Sequence, residues 1–341
     1  MALRIATRRH HGASTNISCM RAISILLVSA MLLAPGVPLS FAQDEPTIKV
    51  EVNVVNILFN VRDKRGGLIG NLNKDDFTIF EEGKQQDIKY FNRETDLPLT
   101  IGLLIDVSAS QGNLIDIERN AAYQFFGSVL RKQDLAFLIS FGADAELLQD
   151  YTNSATLLRR GLDGLKVNSD VGGLHPGPVP TISQPRGTIL YDAVYLAASD
   201  QLKGQVGRKV LVLITDGEDQ GSRYKIAQAI ESAQRADAII YGFYYVDRAF
   251  YYGQRGLVLG GVSDSELRRM AEETGGHVFH VDRKLTLQDA FNELQNEMRS
   301  QYAIGYVPTN ANKDNTFRRI EIKTNNKDWK VQARKGYYAS K

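Results

Sequence analysis

Apolar residues follow three rhythms along the chain. From Thr47 to Leu97 they alternate with polar ones. IKVEVNVVNILFNVRD is β-branched and alternating, KRGG marks a turn, and DFTIFEEGKQQDIKYF reads as two short strands around Glu82–Gly83. From Leu99 to about Arg299, unbroken apolar runs are separated by helical patterns. LTIGLLID, DLAFLISF, KVLVLITD, AIIYGFYYV and HVFHV are strands of the kind covered on both faces. NLIDIERNAAYQFFGSVL, SATLLRRGLDGL, TILYDAVYLAASDQL, SRYKIAQAIESAQRA, DSELRRMAEET and TLQDAFNELQNEMRS space their apolar residues as helices do. From Gln301 to Lys341 the strand pattern returns in YAIGYVP, FRRIEIKT and KVQARKGYY, with an Asn/Lys-rich turn at Thr324–Asp328.

This order predicts an α/β fold. A doubly wound, mostly parallel sheet over residues 98–300 is inserted between two β regions, 43–97 and 301–341. Neither β region has enough strands alone, so the two are expected to pair into a small β-sandwich. Two connections inside the α/β region are long, VNSDVGGLHPGPVPTISQPRG and DRAFYYGQRGLVLGG. Both are expected to be loops on one end of the sheet.

The N-terminal stretch changes the bulk picture. Arg4, Arg8, Arg9 and Arg21 precede or open an apolar run, Ile23 to Leu33, which ends in the small-residue segment SFAQ. That is the layout of a secretory signal, with cleavage expected after Ala42. The run is short for a membrane span, and no later stretch of the mature chain is apolar enough for one. Export to the periplasm, the envelope or the outside is the expectation. Removing residues 1–42 takes away four arginines and no acid, so formal charge moves from +2 to −2. It also removes Cys19, the only cysteine, so disulfides play no part in the mature fold. A near-neutral chain gives no support for nucleic-acid binding.

The run LLIDVSAS raises the chemical question. Asp106 ends a core strand, where an acid needs a partner. Ser108 and Ser110 follow at alternate positions. A second run, VLVLITDGED, ends in the same way at Asp216. Between them, PRGTILYDAV puts Thr188 at the first turn of a helix. In an open parallel sheet, ligands bind beyond the carboxyl ends of the strands. Two carboxylates and three hydroxyls make a hard-oxygen set that suits Mg²⁺, with Mn²⁺ or Ca²⁺ possible, and not zinc. The alternative is a helix N-cap at Asp106 with serines that only make turns. Asp192, Glu218 and Asp219 read as solvated or capping acids. His175, His277 and His280 have no zinc spacing.

Asp-x-Ser-x-Ser, then Gly-Thr opening a helix, then Thr-Asp-Gly after a strand, resembles the von Willebrand factor A domain over about Leu99–Arg299. The flanking segments DFTIFEEGKQQDI and ARKGYY are similar to the secreted VWFA-related family of acidobacteria. The resemblance implies a metal-ion-dependent adhesion site (MIDAS). Its metal residues would be Asp106, Ser108, Ser110 and Thr188, with Asp216 acting directly or through water. It also implies a metal that keeps one open position, filled by a carboxylate from a protein or peptide partner with an exposed Asp or Glu. The family's site often has a larger residue after the last serine, where this chain has Gln111, a departure not expected to abolish binding.

Signatures of catalysis are missing from the sequence. Ser108 and Ser110 lie in no Gly-x-Ser-x-Gly elbow, and no Gly-rich phosphate loop ends in Lys-Ser/Thr. A metal-dependent phosphatase would want a second acid at Ser108. The expectation is therefore an exported binding module and not an enzyme. Phe250, Tyr251 and Tyr252, at the centre of the second long connection, are expected to be exposed partner anchors. The competing expectation is a structural or assembly protein of the cell envelope whose metal stabilises the fold.

Overall fold

The computed structural model describes residues 54–94, 97–167, 187–254 and 263–339. The signal segment, the loop expected before Thr188 and the end of the second long connection lie outside them.

The chain first builds half a sandwich. Strands β1 (Val55–Arg62), β2 (Phe77–Glu81), β3 (Lys84–Gln86) and β4 (Ile88–Glu94) lead into β5 (Leu99–Asp106). The segment expected as two strands makes three. Its second half breaks at Asp87, between β3 and β4, which lie in different sheets. Helix α1 (Ile115–Val129), strands β6 (Leu135–Phe141) and β7 (Ala145–Thr152), and helices α2 (Ala155–Asp163) and α3 (Leu190–Leu196) follow. Then come β8 (Arg208–Thr215), α4 (Ile226–Arg235), β9 (Ala238–Tyr244), α5 (Arg248–Gln254), α6 (Ser265–Thr274), β10 (Val278–His280) and α7 (Leu287–Met298). Strands β11 (Gln301–Tyr306), β12 (Phe317–Thr324), β13 (Lys330–Ala333) and β14 (Gly336–Tyr338) complete the sandwich.

The central sheet has the order β10-β9-β8-β5-β6-β7. All its strands run parallel except β7, which pairs antiparallel with β6 along one edge. Sequence periodicity passes over β7 because AELLQDYT carries few apolar residues and its side chains are at most half-buried. The inner strands are different. Ile101, Leu103 and Ile105 of β5, with Val210, Val212 and Ile214 of β8, face a core shared with α1, α2 and α7. Leu104, Leu211 and Leu213 face the opposite core, under α3, α4 and α6. Both faces are covered, which is why these runs show no alternation with polar residues.

The sandwich has one sheet of order β13-β1-β11-β4 and one of order β14-β12-β2-β3. Each contains strands from both ends of the chain. The α/β part leaves and returns through neighbours, because Glu94 at the end of β4 pairs with Gln301 at the start of β11. Ile57, Phe59, Ile79, Tyr302, Ile304 and Ile320 fill the space between the sheets. The two parts are tied by a buried carboxylate. Glu297, at the end of α7, accepts from Arg62 of β1, from the Tyr241 hydroxyl at 3.0 Å and from Gln332 of β13 at 2.5 Å.

Gly102 is the one gap in the β5 run. A Cβ there would lie 2.2 Å from Phe137 Cζ and 2.7 Å from Leu211 Cδ2. Both side chains are fully buried, so neither has space to yield. Gly102→Ala is expected to cost about 1–3 kcal/mol by overpacking, read as a lower urea midpoint with unchanged slope.

Candidate metal centre

The sheet order reverses between β5 and β8, because the chain leaves β5 to build β6 and β7 on one side and returns to build β8 and β9 on the other. A crevice opens at such a switch point beyond the strand carboxyl ends. Asp106 is the last residue of β5, and Asp216 directly follows β8. Ile105 pairs with Ile214, so the two acids leave the sheet side by side.

After Asp106 the chain turns sharply. The Ser108 amide donates back to Asp106 Oδ1 at 2.9 Å, and Ala109–Gln111 form a single 3₁₀ turn before α1. This places the Ser108 and Ser110 hydroxyls 2.9 Å apart. Ser110 donates to Asp216 Oδ2 at 2.6 Å, and Thr215 donates to Asp106 Oδ2 at 2.7 Å. After Asp216, Gly217 takes a φ of +83°, a left-handed turn that disfavours side chains. Asp106, Ser108, Ser110 and Asp216 are thus brought into one hydrogen-bonded cluster. Thr215 belongs to it as well. A β-branched threonine that ends an apolar strand carries no sequence signal of this role.

Thr188 lies two residues before α3 instead of in its first turn. Its segment is clamped from both sides: the Ile189 amide donates to Gly142 O at 2.9 Å, and the Gln220 amide donates to Thr188 O at 2.8 Å. Gly187 makes this approach possible, since a Cβ there would sit 1.8 Å from the Gln220 carbonyl oxygen. Two acids read as solvated or capping serve the same clamp. Asp219 accepts from the Tyr191 amide at 3.1 Å, and Asp192 accepts from the Tyr224 amide at 2.9 Å. Thr188 is buried, main-chain bonds tie its segment to Gly142 and Gln220, and no hydrogen bond joins its side chain to the aspartate cluster among the described residues.

The aromatic tip is not a set of exposed anchors. The connection expected as a loop forms the short helix α5, and Tyr251 turns inward, donating to Asp216 Oδ2 at 2.7 Å. Phe250 is half-buried and meets the Tyr251 ring edge-on at 5.4 Å between centroids. The Tyr252 side chain lies outside the described residues.

Electrostatics set two carboxylates against each other in this cluster. Asp106 is fully buried, and burial together with the charge of Asp216 pushes its carboxyl up to about 7, against hydrogen bonds from Ser108 and Thr215. Behind it on α1, Glu118 is also fully buried, and neither of its oxygens has a hydrogen-bond partner. Burial and both aspartate charges push it up as well. The groups bonded to the two aspartates are hydroxyls and main-chain amides, which supply no positive charge. Among the described residues, no cluster of three or more His, Cys, Asp or Glu is placed to hold a metal. The donor set is therefore two carboxylates and neutral hydroxyls, and it fits a hard divalent cation held by few charges.

Two outcomes are expected. Without metal, the folded state holds the Asp106 proton more tightly than an unfolded aspartate at 3.8 does, so this stabilisation is lost as pH rises from 3.8 to about 7. Urea midpoints in EDTA, taken as wild type minus Asp106→Asn, should fall across that window and level off above it. A flat difference would contradict the assignment. Gly187→Ala should push the Thr188 loop off Gln220 and weaken cation binding about tenfold or more, measured by calorimetric Mn²⁺ titration.

No curated protein matches the chain in sequence. Solved structures of similar fold include an aerotolerance-related membrane protein from Bacteroides fragilis, 16% identical, covering 59% of this chain and 98% of that one with a TM-score of 0.43. A von Willebrand factor type A protein from Catenulispora acidiphila is 12% identical and covers 84% of this chain and 75% of that one, with a TM-score of 0.46. Proximal thread matrix protein 1 from the mussel byssus, solved with a zinc-occupied MIDAS motif, is 13% identical and covers 61% and 50%, with a TM-score of 0.42. The family model of the von Willebrand factor type A domain matches residues 181–297, from the loop before Thr188 to the end of α7. With that match on a sheet of this order, the chain has a von Willebrand factor type A-like fold.

Proposed function

We propose that this protein is an exported binding module. It holds a divalent cation, Mg²⁺ by the hardness of its donors, and uses it to capture an exposed Asp or Glu of a protein or peptide partner. Asp106, Ser108, Ser110 and Thr188 hold the cation, and Asp216 does so directly or through water. When bound, the cation supplies a partly neutralised, electrophilic centre able to take an outside carboxylate. The residues of the chain position it and exclude other charges.

The observation that carries this reading is the pairing of two buried aspartates that are bonded only to hydroxyls and amides. Such a pair leaves a cation with neutral ligands over much of its shell, and hard cations of this kind readily take a further carboxylate. A fully buried acid pair would also be a poor design for a purely structural metal, which is more stable in a shell closed by protein charges. Export is part of the proposal and rests on the charge and hydropathy pattern of residues 1–42.

Thermal unfolding tests the cation step. One millimolar Mg²⁺ or Mn²⁺ should raise the wild-type midpoint by several degrees over EDTA, by mass action on the folded state, and leave Asp106→Ala unmoved. A cation-dependent pull-down with immobilised Asp- and Glu-containing peptides should then be abolished by EDTA and by Asp106→Ala. Equal shifts in wild type and variant would remove the site. A shift without any peptide capture would favour a fold-stabilising metal in an envelope assembly.

A further inference from the structure

We propose that Tyr251 is an internal occupant of the cation site: its hydroxyl holds Asp216 in the cation-free protein and must release it before a divalent cation and an outside carboxylate can bind. This inference rests on the cation-site reading above.

Lone-pair arithmetic comes first. A carboxylate oxygen accepts about two hydrogen bonds. Asp216 Oδ2 already has two, from Ser110 at 2.6 Å and from Tyr251 at 2.7 Å. Ser110 in turn is bonded to Ser108. Both acceptor positions of Asp216 Oδ2 are thus filled from within the chain. A cation that takes up Asp216 Oδ2 needs one of these two bonds to open. The serines cannot leave, because the turn after β5 fixes them. Tyr251 can.

The attachment of α5 shows why. None of residues 248–251 belongs to a hydrophobic core cluster. The helix is tied at its start, where Asp247 accepts from the Ala249 amide at 2.9 Å and from Asn113 Nδ2 at 2.6 Å. Beyond that anchor, Tyr251 bonds to Asp216 and meets the Ser110 hydroxyl, with Phe250 packed on its ring. The contact thus joins a weakly held helix to the group with which a cation would compete. A phenol is a fitting stand-in there. It donates one hydrogen bond to a carboxylate, and it leaves without stranding a buried charge.

The experiment measures free Mn²⁺ by electron paramagnetic resonance in titrations of wild type, Tyr251→Phe and Asp106→Ala, with thermal unfolding as the folding control. Tyr251→Phe keeps the ring against Phe250 and removes only the hydroxyl. It should bind Mn²⁺ about tenfold more tightly than wild type, the change expected on deleting a competing hydrogen bond to a charged group. Equal or weaker binding by Tyr251→Phe beside normal binding by wild type overturns the occupant role and leaves the cation site standing. Failure of all three proteins to bind overturns both. Trypsin gives a second readout at Arg248, which is exposed. Mn²⁺ should speed cleavage there in wild type, and Tyr251→Phe should already be cut at the faster rate in EDTA. Protection of Arg248 by Mn²⁺ would mean that Tyr251 stays on Asp216 when the cation binds, against the proposal.

Discussion

Two aspartates at the ends of adjacent parallel strands repel one another in a place with little water. Asp106 is fully buried and Asp216 nearly so, and each is bonded to hydroxyls and amides. In the low effective dielectric of a protein interior, two like charges this close cost several kcal/mol unless one holds a proton or a cation sits between them. Burial and the Asp216 charge push the Asp106 carboxyl up to about 7, toward the first solution. A divalent ion is the second. Much else near the strand ends can be understood as holding this conflict in place.

The fold supplies the conflict through topology. The sheet must reverse its winding somewhere, and it does so between β5 and β8, which opens a crevice beyond their carboxyl ends. Gly102 lets β5 run flush against Phe137 and Leu211, and Gly187 lets the Thr188 loop close onto Gln220. The flanking sandwich holds the other end. It takes the inserted domain in and out through paired neighbours and grips α7 by the buried Glu297. Motion at the aspartate pair therefore falls to the segments around it, among them α5, which is attached through Asp247 and Tyr251.

Sequence patterns made much of this legible. Apolar runs without alternation marked strands covered on both faces, and their order led to the doubly wound sheet. Asp106 and Asp216 stood out because an acid closing a buried strand is costly. What the pattern hid was local and polar. Strand β7 is an edge strand with half-exposed side chains, so it lacks the apolar run that reveals a strand. The break between β3 and β4 depends on a change of sheet that hydropathy does not record. Thr215 looked like one more β-branched strand residue until its hydroxyl was seen to face Asp106. Tyr251 is the clearest case. Three aromatics in a long polar connection suggest an outward tip, and only the path of the chain shows the middle ring turned inward to a carboxylate. Glu118 gave no signal either, because an acid on a helix is ordinarily solvated.

The most direct test of the cation site is the anomalous scattering of Mn²⁺ in crystals of the protein. A single strong peak should lie between the Asp106 carboxylate and the Ser108 and Ser110 hydroxyls, at oxygen distances of about 2.0–2.2 Å. No peak there at saturating Mn²⁺, or a peak bound to other acids, would show that the two aspartates resolve their repulsion by protonation alone and that the adhesion reading is wrong.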